Sequence, residues 1–551
     1  MESIPLGDWS LSKNGRLRIS FMLPNAKAGR NARIIIAQRE DGSGEYDAEA
    51  PCIRNYFGAR PDDGNRSVYK ADIDLTSCQW HEARWDIIVE VNPDGAAGKD
   101  GSAGGSEQLY ELKASKKQRQ HLYRTATQAY LPGNAIVIPY LSSRRCLDLI
   151  YRERTPYDAP SYLRKELLAK AVYRLRKSSL RDRRIWLVYE KQCMRAQDNG
   201  FYFFKYCMEN LPPEERKRIF FVIDKNSPDY PRVAPYRDNV LEFMSFKYFL
   251  YCLGAEMLVG SETKIHLSPQ RSRPSYTKHK LVKTMTFFLQ HGVMAFKRTD
   301  KRMGATGWHP VDYFLVSSEA EQDVITGNFG YDAAHVPVLG QARWDALEDH
   351  RTPDAPTILL MPTWREWLGD ASDEEFEQTD FYQSYQRLLN SPRLDEFLEA
   401  HNATLQVFLH PLFLDRAELF HSPSSRVQVL KPNDAPLNEI IMGCSAMVTD
   451  YSSAVWDAIY MDKPALFFQF DRPLYLEKTG SYIDFETDLP GDCYFDADAL
   501  VDGLERCADA GFVSSEHQCE VASRWFAHRD RNNCQRIYEC ALRIEREMGR
   551  R

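Results

Sequence analysis

The chain has 551 residues, more than a single hydrophobic core supports, and its length suggests about three domains. With 43% hydrophobic and 27% charged residues, it has the composition of a folded globular protein and not of a disordered one. The net charge of −7 argues against a surface that wraps nucleic acid, so we expect no nucleic-acid partner and only a local anion site. The sequence contains no apolar run typical of a signal peptide or membrane span, and we expect a cytosolic protein.

Residues 1–153 predict an all-β accessory domain with a sandwich-like fold. Hydrophobic residues alternate with polar ones, as in Leu17, Ile19, Phe21 and Leu23, and this period of two is typical of half-buried strands. The glycine-rich stretch 92–106 predicts a mobile loop between two of these strands. Two roles remain open for the domain, namely holding a polymer and bracing the rest of the chain.

Residues 154–184 predict a basic amphipathic helical linker. Its cations are interleaved with Leu163, Leu167, Leu168 and Val172. Such a helix can lie on an anionic membrane surface, where each cation contributes about 1 kcal/mol, although a solvated linker has the same pattern. We favour a peripheral position on the inner face of a bacterial cell membrane.

From residue 185 onward, apolar strands alternate with helical segments, which predicts parallel sheets covered by helices. We place a first Rossmann-like domain at 185–345 and a second at 346–551. Ligands in such sheets bind outside the carboxyl ends of the strands, so the reactive residues should follow the strands directly.

Two histidines stand at predicted strand ends, one in each domain. His291 follows the apolar run 287–289, and His410 follows 407–409. Imidazole is the side chain best matched to proton transfer at neutral pH, so both are candidate catalytic residues. For His410, a purely structural role at the strand end remains an alternative. Further candidates for phosphate contact are Lys297 and Arg298, which come after His291, and Thr363 and Arg365, which follow the apolar run 359–361.

The stretch 444–468 predicts a strand, a polar elbow, a short helix and a second strand. The elbow contains Thr449, Asp450, Ser452 and Ser453, whose hydroxyls and following helix N–H groups could hold a pyrophosphate. Ser and Asp are also common helix caps, so ordinary capping remains an alternative. We expect Asp450 to cap the helix or bind a substrate hydroxyl, because a carboxylate would repel phosphate.

Several strings between residues 184 and 542 together resemble the CDP-glycerol glycerophosphotransferase family, the teichoic-acid polymerases and their relatives, which have a GT-B fold. They are AQDNGFYFFKYC, FLQHGVMAFKR, VLGQARWDAL, LLMPTWRE, FLHP and VTDYSSAVWDAIYMDKPALFFQFD. The resemblance implies that the second domain binds the CDP donor and that His291 is the catalytic base. It also places Thr449, Asp450, Ser452 and Ser453 near the pyrophosphate.

The resemblance implies an enzyme that moves an alditol phosphate, glycerol phosphate first, from a CDP-linked donor to a hydroxyl of a cell-wall or capsule-type polymer or lipid-linked acceptor, with release of CMP. Polymerases of this family commonly carry Trp-His-Gly-Thr-Pro where this chain has QHGVM at 290–294, which leaves the acceptor open. The alternatives are a GT-B glycosyltransferase that uses a nucleotide sugar and a non-catalytic polymer-binding protein. Twelve cysteines without C-x-x-C spacing indicate no zinc site, and we expect neither a metal nor a cofactor.

Overall fold

The computed structural model describes residues 2–24, 31–39, 53–62, 65–81, 83–91, 108–125, 127–142, 144–268, 275–369, 371–430 and 435–549. The chain forms two compact units. Unit 1 comprises Met1–Arg176, Met244–Leu253 and Ser268–Lys283, and unit 2 comprises Lys177–Phe243, Gly254–Leu267 and Thr284–Arg551. The predicted mobile loop at 92–106 lies outside the described residues. The domain boundaries given above stay predictions.

Unit 1 contains a barrel-like sheet, which confirms an N-terminal β-rich domain. Its strands are β1 (Glu2–Leu11), β2 (Arg16–Met22), β3 (Ala32–Gln38), β4 (Arg54–Asp62), β5 (Asn65–Asp74), β6 (Ala83–Val91), β7 (Gln108–Lys113), β8 (Ala129–Leu131), β9 (Ala135–Leu141) and β10 (Leu147–Glu153). The order is β3-β4-β5-β2-β1-β7-β6-β10-β9-β8, and β3 also pairs with β6. That pairing closes the strands from β3 to β6 into a ring, where we predicted a sandwich.

The inward residues of this ring follow the period of two seen in the sequence. Leu17, Ile19 and Phe21 of β2 are buried together with Tyr69 and Trp85. Alternate residues of a strand point to opposite faces, so the inner face forms the core of the barrel.

The helices are distributed along both units. In chain order they are α1 (Lys116–Thr125), α2 (Pro160–Leu175), α3 (Lys177–Asp182), α4 (Asn199–Asn210), α5 (Pro213–Arg216), α6 (Tyr230–Val233), α7 (Phe246–Gly254), α8 (Tyr276–Val282), α9 (Asp300–Met303), α10 (Glu319–Phe329), α11 (Asp373–Glu377), α12 (Asp380–Leu389), α13 (Pro392–Ala400), α14 (Leu437–Gly443), α15 (Val455–Tyr460), α16 (Arg472–Lys478), α17 (Ala497–Asp509), α18 (Glu516–Ser523) and α19 (Asn533–Gly549). Short 3₁₀ helices connect several of them, among them Lys191–Cys193, Lys264–Leu267 and Ala342–Ala346.

Unit 2 contains two parallel sheets, as the alternation of strands and helices predicted. The first has strands β11 (Trp186–Tyr189), β12 (Ile219–Ile223), β13 (Val240–Glu242), β14 (Met257–Gly260), β15 (Met285–Phe288) and β16 (Tyr313–Phe314). The second has β17 (Thr357–Met361), β18 (Thr404–Phe408), β19 (Val427–Leu430), β20 (Ala446–Thr449), β21 (Ala465–Phe468) and β22 (Asp492–Tyr494). Numbered within each sheet, both follow the order 3-2-1-4-5-6 of the Rossmann fold.

The last helix, α19, packs on the first parallel sheet although it follows the second in the chain. Its residues Cys534, Ile537 and Ala541 are buried in one core with Trp186 and Phe203. We had placed this segment in the second Rossmann-like domain. The two sheets of unit 2 are therefore joined by the final helix as well as by the connection near residue 350.

Candidate active site

The loop after β15 carries His291 and is held by buried polar groups. Gln290 has a left-handed backbone (φ 48°), which is costly for a non-glycine residue. The side-chain amide of Asn199 donates to the carbonyl of Gln290 at 2.8 Å, and the Gln290 amide donates to Glu321 at 3.0 Å. Glu321 also accepts the backbone N–H of Met294 at 2.7 Å. These contacts fix the backbone on both sides of the histidine.

The ring of His291 lies between two carboxylates. Its Nδ1 is 3.4 Å from Asp198 Oδ2, and its Nε2 is 3.7 Å from Glu262 Oε2. Burial lowers the pKa of His291, but Glu262 and Asp198 outweigh burial and the opposing charge of Arg343, and the pKa rises to about 9. The ring is therefore mostly protonated at neutral pH, where we had expected a free base.

Asp198 is itself held in place at the start of α4. Its carboxylate accepts the backbone N–H of Asn199 at 2.7 Å, and its own backbone N–H donates to the buried Glu190 at 2.9 Å. Glu190 also accepts the backbone N–H of Phe201 at 2.7 Å. Burial, and after it the charge of Asp198, raises the pKa of Glu190 to about 8.

Arg343 joins Asp198 to the helix that follows the elbow. Its guanidinium donates two hydrogen bonds of 2.8 Å to Asp457 on α15 and one of 3.1 Å to Asp198. Asp457 also accepts the indole N–H of Trp344 at 2.8 Å. Arg343 is only 5% exposed, so its charge is neutralised by carboxylates from both halves of unit 2.

The elbow after β20 contacts the histidine loop. A Cβ added at Gly292 would lie 2.9 Å from Ser453 Oγ and 3.2 Å from Ser453 Cβ, so this approach requires glycine. Helix α15 has Ala454 as its N-cap residue, without a side-chain cap bond. The hydroxyl of Ser452 accepts the backbone N–H of Ala454 at 3.3 Å. The Ser453 side chain therefore does not serve as the cap of α15, which was the alternative to a role in ligand binding.

Thr449, Asp450 and Arg365 are fully buried beneath the elbow. Thr449 donates its hydroxyl proton to the carbonyl of Met361 at 2.6 Å, which joins β20 to β17. The guanidinium of Arg365 is 2.8 Å from Asp450 and donates to Asp471 at 2.9 and 3.1 Å. Arg365 and the two aspartates thus satisfy one another, while Thr449 is bonded to the backbone of β17, and both arrangements support the elbow from below. Contact of Thr449, Asp450 and Arg365 with the donor stays a prediction.

The backbone N–H of Thr363 donates to Asp450 at 2.9 Å. The Thr363 hydroxyl oxygen is buried and has no hydrogen-bond partner among the described residues. Thr363 thus remains a candidate for ligand contact at the end of β17.

His410, at the end of β18, lies in a positive environment. Burial lowers its pKa to about 4, with further contributions from the charges of Lys191 and Lys297. The ring centroid of His410 is 6.4 Å from that of Trp364. His410 is therefore neutral at physiological pH, and cations that follow β11 and β15 act on a residue of the second sheet.

Arg298 is half exposed and is engaged at the surface. It donates to the side chain of Asn328 at 3.0 Å and lies 3.6 Å from Asp300. Its guanidinium carbon is 5.4 Å from the centroid of the Tyr482 ring. Lys297, the other cation of this loop that we predicted to contact phosphate, instead acts on His410.

The residues near the site that were not among our candidates include Lys191, Asp198, Glu262, Arg343 and Asp457. Three of them lie within strings that we associated with the family, and that was the signal available for them. Glu262 lies two residues after the end of β14, and this position at a strand end could have identified it as a candidate.

The described residues contain no group of three or more histidine, cysteine or acidic side chains arranged to hold a metal ion. Within the same ranges, no helix is both long and apolar enough to cross a bilayer.

Residues 170–543 match the model of the family described as CDP-Glycerol:Poly(glycerophosphate) glycerophosphotransferase. The chain belongs to this family. The match confirms the resemblance seen in the sequence motifs, and it covers both parallel sheets of the chain but not its barrel-like sheet.

The names of two curated relatives of the chain refer to teichoic acid synthesis. The minor teichoic acid biosynthesis protein GgaB of Bacillus subtilis (strain 168) is 24% identical over 457 residues, which cover 80% of this chain and 49% of that protein. The teichoic acid ribitol-phosphate polymerase TarK of Staphylococcus aureus (strain NCTC 8325 / PS 47) is 27% identical over 240 residues, 39% of this chain and 44% of that protein. The chain thus spans about half the length of the curated relatives it matches.

A solved structure of the wall teichoic acid polymerase TagF, in a histidine-to-alanine variant, has a similar fold. The TM-score is 0.50 at 17% identity, and the match covers 71% of this chain and 99% of that chain. At this identity the likeness concerns the fold alone.

Proposed function

We propose that the chain transfers an alditol phosphate, glycerol phosphate first, from a CDP-linked donor to a hydroxyl of a cell-wall or capsule-type polymer or lipid-linked acceptor. CMP is the leaving group. The observation that carries the proposal is the contact of Gly292 with Ser453, which brings the histidine loop of one sheet to the elbow of the other. Family membership and the teichoic acid relatives support the reaction class. A TagF variant soaked with CDPG supports the donor class.

The two Rossmann-order sheets, in this proposal, are the halves of a GT-B transferase, with the acceptor on the first and the donor on the second. Ligands of such sheets bind where the strand order reverses, between the first and fourth strands. In the second sheet this is the gap between β17 and β20, beside Thr363 and Ser453. In the first sheet it is the gap between β11 and β14, beside Lys191 and Glu262.

The proposed reaction requires a base, because an alcohol is a poor nucleophile at neutral pH. His291, once it has lost its own proton, accepts the proton of the acceptor hydroxyl as that oxygen attacks the β-phosphorus of the donor. The bond from this phosphorus to the bridging oxygen breaks, and the oxygen leaves with CMP. Asp198 holds Nδ1 and stabilises the imidazolium that forms.

The negative charge of the diphosphate needs compensation as the bond to CMP breaks. In this proposal the compensation comes from Lys191 and Lys297, whose charges act at the strand ends on the neutral His410, and from His410 itself. The hydroxyls of Ser452 and Ser453 add hydrogen bonds. The reaction as proposed uses no metal ion and no cofactor.

Peripheral attachment to an anionic membrane surface is part of the proposal. Helix α2 buries the charged Glu166 and exposes three leucines, Leu167, Leu168 and Leu175. Leu168 is 58% exposed and Leu175 is 87% exposed. A helix packed on a core usually does the opposite, burying its apolar residues and exposing its charged ones. These leucines lie within about 100° of one another around the helix axis, on the side that also carries Arg164. A face of exposed leucines and cations suits the inner surface of a bacterial membrane.

A donor panel tests the proposed function. The purified chain is incubated with CDP-glycerol, CDP-ribitol and UDP-sugars in the presence of a glycerol phosphate oligomer, and the released nucleotide is quantified. We expect CMP from a CDP-alditol, with no release by a His291→Ala variant and normal release by the exposed control His350→Ala. Release of UDP from a UDP-sugar would instead indicate glycosyl transfer, and binding of the oligomer without release of any nucleotide would indicate a polymer-binding protein.

A further inference from the structure

Glu262 lies between two imidazole rings. Strand β14 pairs with β11 on one side and with β15 on the other, so their carboxyl ends bring Gln192, Glu262 and His291 together. Glu262 Oε2 is 3.7 Å from His291 Nε2 and 3.4 Å from His266 Nε2. Its side chain is only 12% exposed, so little water competes for this carboxylate.

The proton of His266 can be assigned from its neighbours. The backbone N–H of Gln192 donates to His266 Nδ1 at 3.3 Å, so this nitrogen is an acceptor. The ring proton is then on Nε2 and points to Glu262. Gln192 has a left-handed backbone (φ 54°) at this contact, which places strain at the site. Burial lowers the pKa of His266, which keeps the ring neutral at physiological pH.

We propose that Glu262 is a positioning residue for His291 and that His266 holds Glu262 in place. The inference rests on the proposed function, in which His291 takes the proton of the acceptor. Asp198 occupies Nδ1, so Nε2 is the nitrogen that meets the acceptor, and Glu262 is the carboxylate that Nε2 faces. The separation of 3.7 Å exceeds that of a hydrogen bond, so an acceptor hydroxyl can displace this contact without loss of a short bond.

The charges around His291 determine whether removal of the Glu262 charge raises or lowers the pKa of His291. Asp198 and Glu262 favour the protonated ring, while Arg343 disfavours it. Neutral His266 lies 3.4 Å from Glu262, and the charge of Lys191 acts on His266. Removal of the charge of Glu262 therefore lowers the pKa of His291, and the base form becomes available at lower pH. His291 is half exposed and Glu262 is largely buried, and for such a pair at 3.7 Å we expect a shift of about one pH unit.

The test compares Glu262→Gln with Glu505→Gln in the full chain. Glu505 is a matched control, because its carboxylate lies 2.8 Å from Nε2 of another histidine, His401. The rate at which diethyl pyrocarbonate modifies each histidine is measured against pH by mass spectrometry, and the pH profile of kcat is measured in parallel. In Glu262→Gln, the midpoint pH of His291 modification and the rising limb of the kcat profile should both shift down by about one pH unit. The KM for the donor should not change. Glu505→Gln should leave the His291 midpoint and the limb of kcat in place.

A second pair of variants tests His266. His266→Gln keeps an N–H donor near the position of Nε2 and should retain most of kcat, while His266→Ala should lower kcat without moving the limb down. An unchanged His291 midpoint in Glu262→Gln would overturn the positioning role, as would equal kcat for the two His266 variants. Failure of the parent chain to turn over any donor would refute the proposed function instead, and the modification midpoints would still decide whether Glu262 acts on His291.

Discussion

Replacement of Arg343 by methionine should destabilise unit 2 by about 3–5 kcal/mol, the usual cost of removing one partner of a buried ion pair. Arg343 is 5% exposed and makes two bonds of 2.8 Å to Asp457 and one of 3.1 Å to Asp198. Methionine has a similar length but leaves both carboxylates without their cation. The charge of Arg343 also lowers the pKa of His291, so its loss should raise that pKa and reduce turnover at pH 7.

A double-mutant cycle with Asp457→Asn isolates the interaction. Asparagine keeps an oxygen that can accept from Trp344, whose indole N–H donates to Asp457 at 2.8 Å. The double variant removes the unpaired charge at Asp457 but not that at Asp198, so its destabilisation should fall short of the sum of the single effects by about 1–3 kcal/mol. Urea denaturation followed by intrinsic fluorescence measures each variant. An Arg343→Met protein within about 0.5 kcal/mol of the parent, or additive single effects, would refute the argument.

Four further outcomes are expected. His291→Ala should abolish turnover and leave donor binding by calorimetry nearly unchanged, because a base acts in the transition state; substantial residual turnover would contradict this role. Gly292→Ala should overpack the contact with Ser453 and lower kcat about tenfold, with partial recovery of kcat in the double variant with Ser453→Gly; a Gly292→Ala enzyme with normal kcat would show that the contact is dispensable. A chelator such as EDTA should leave turnover unchanged, and a loss that is restored by added Mg²⁺ would show that a metal is required. The chain should co-sediment with anionic but not with neutral vesicles, and this binding should weaken with salt. It should also weaken when four cations are replaced by glutamine, namely Arg174, Arg176, Lys177 and Arg181. Undiminished binding of this quadruple variant would show that these four cations do not bind the membrane.

Local sequence patterns were sufficient to predict the strands and helices and some residues of the site. The period of two predicted the strands of unit 1, and alternation with helices predicted two parallel sheets, because both signals reside in neighbouring residues. His291 and Ser453 were found because each lies within four residues of the end of an apolar strand. Their mutual contact could be expected only from the family resemblance, since they lie in different sheets.

The remaining features depend on long-range pairing. The closure of the barrel requires β3 to pair with β6, and the position of α19 on the first sheet requires a partner far away in sequence. Arg365 follows a strand as a phosphate-binding cation would, but two buried carboxylates, Asp450 and Asp471, take up its guanidinium. Neither the burial nor the partners of a side chain are contained in its local sequence pattern.

The central claim is the transfer of an alditol phosphate to an acceptor hydroxyl, and ³¹P NMR of a complete reaction tests it most directly. With CDP-glycerol and a glycerol phosphate oligomer, the diphosphate resonances of the donor should decline while CMP and a new phosphodiester appear in equal amounts. Formation of CDP in place of CMP, or formation of CMP without a new phosphodiester, would contradict the account.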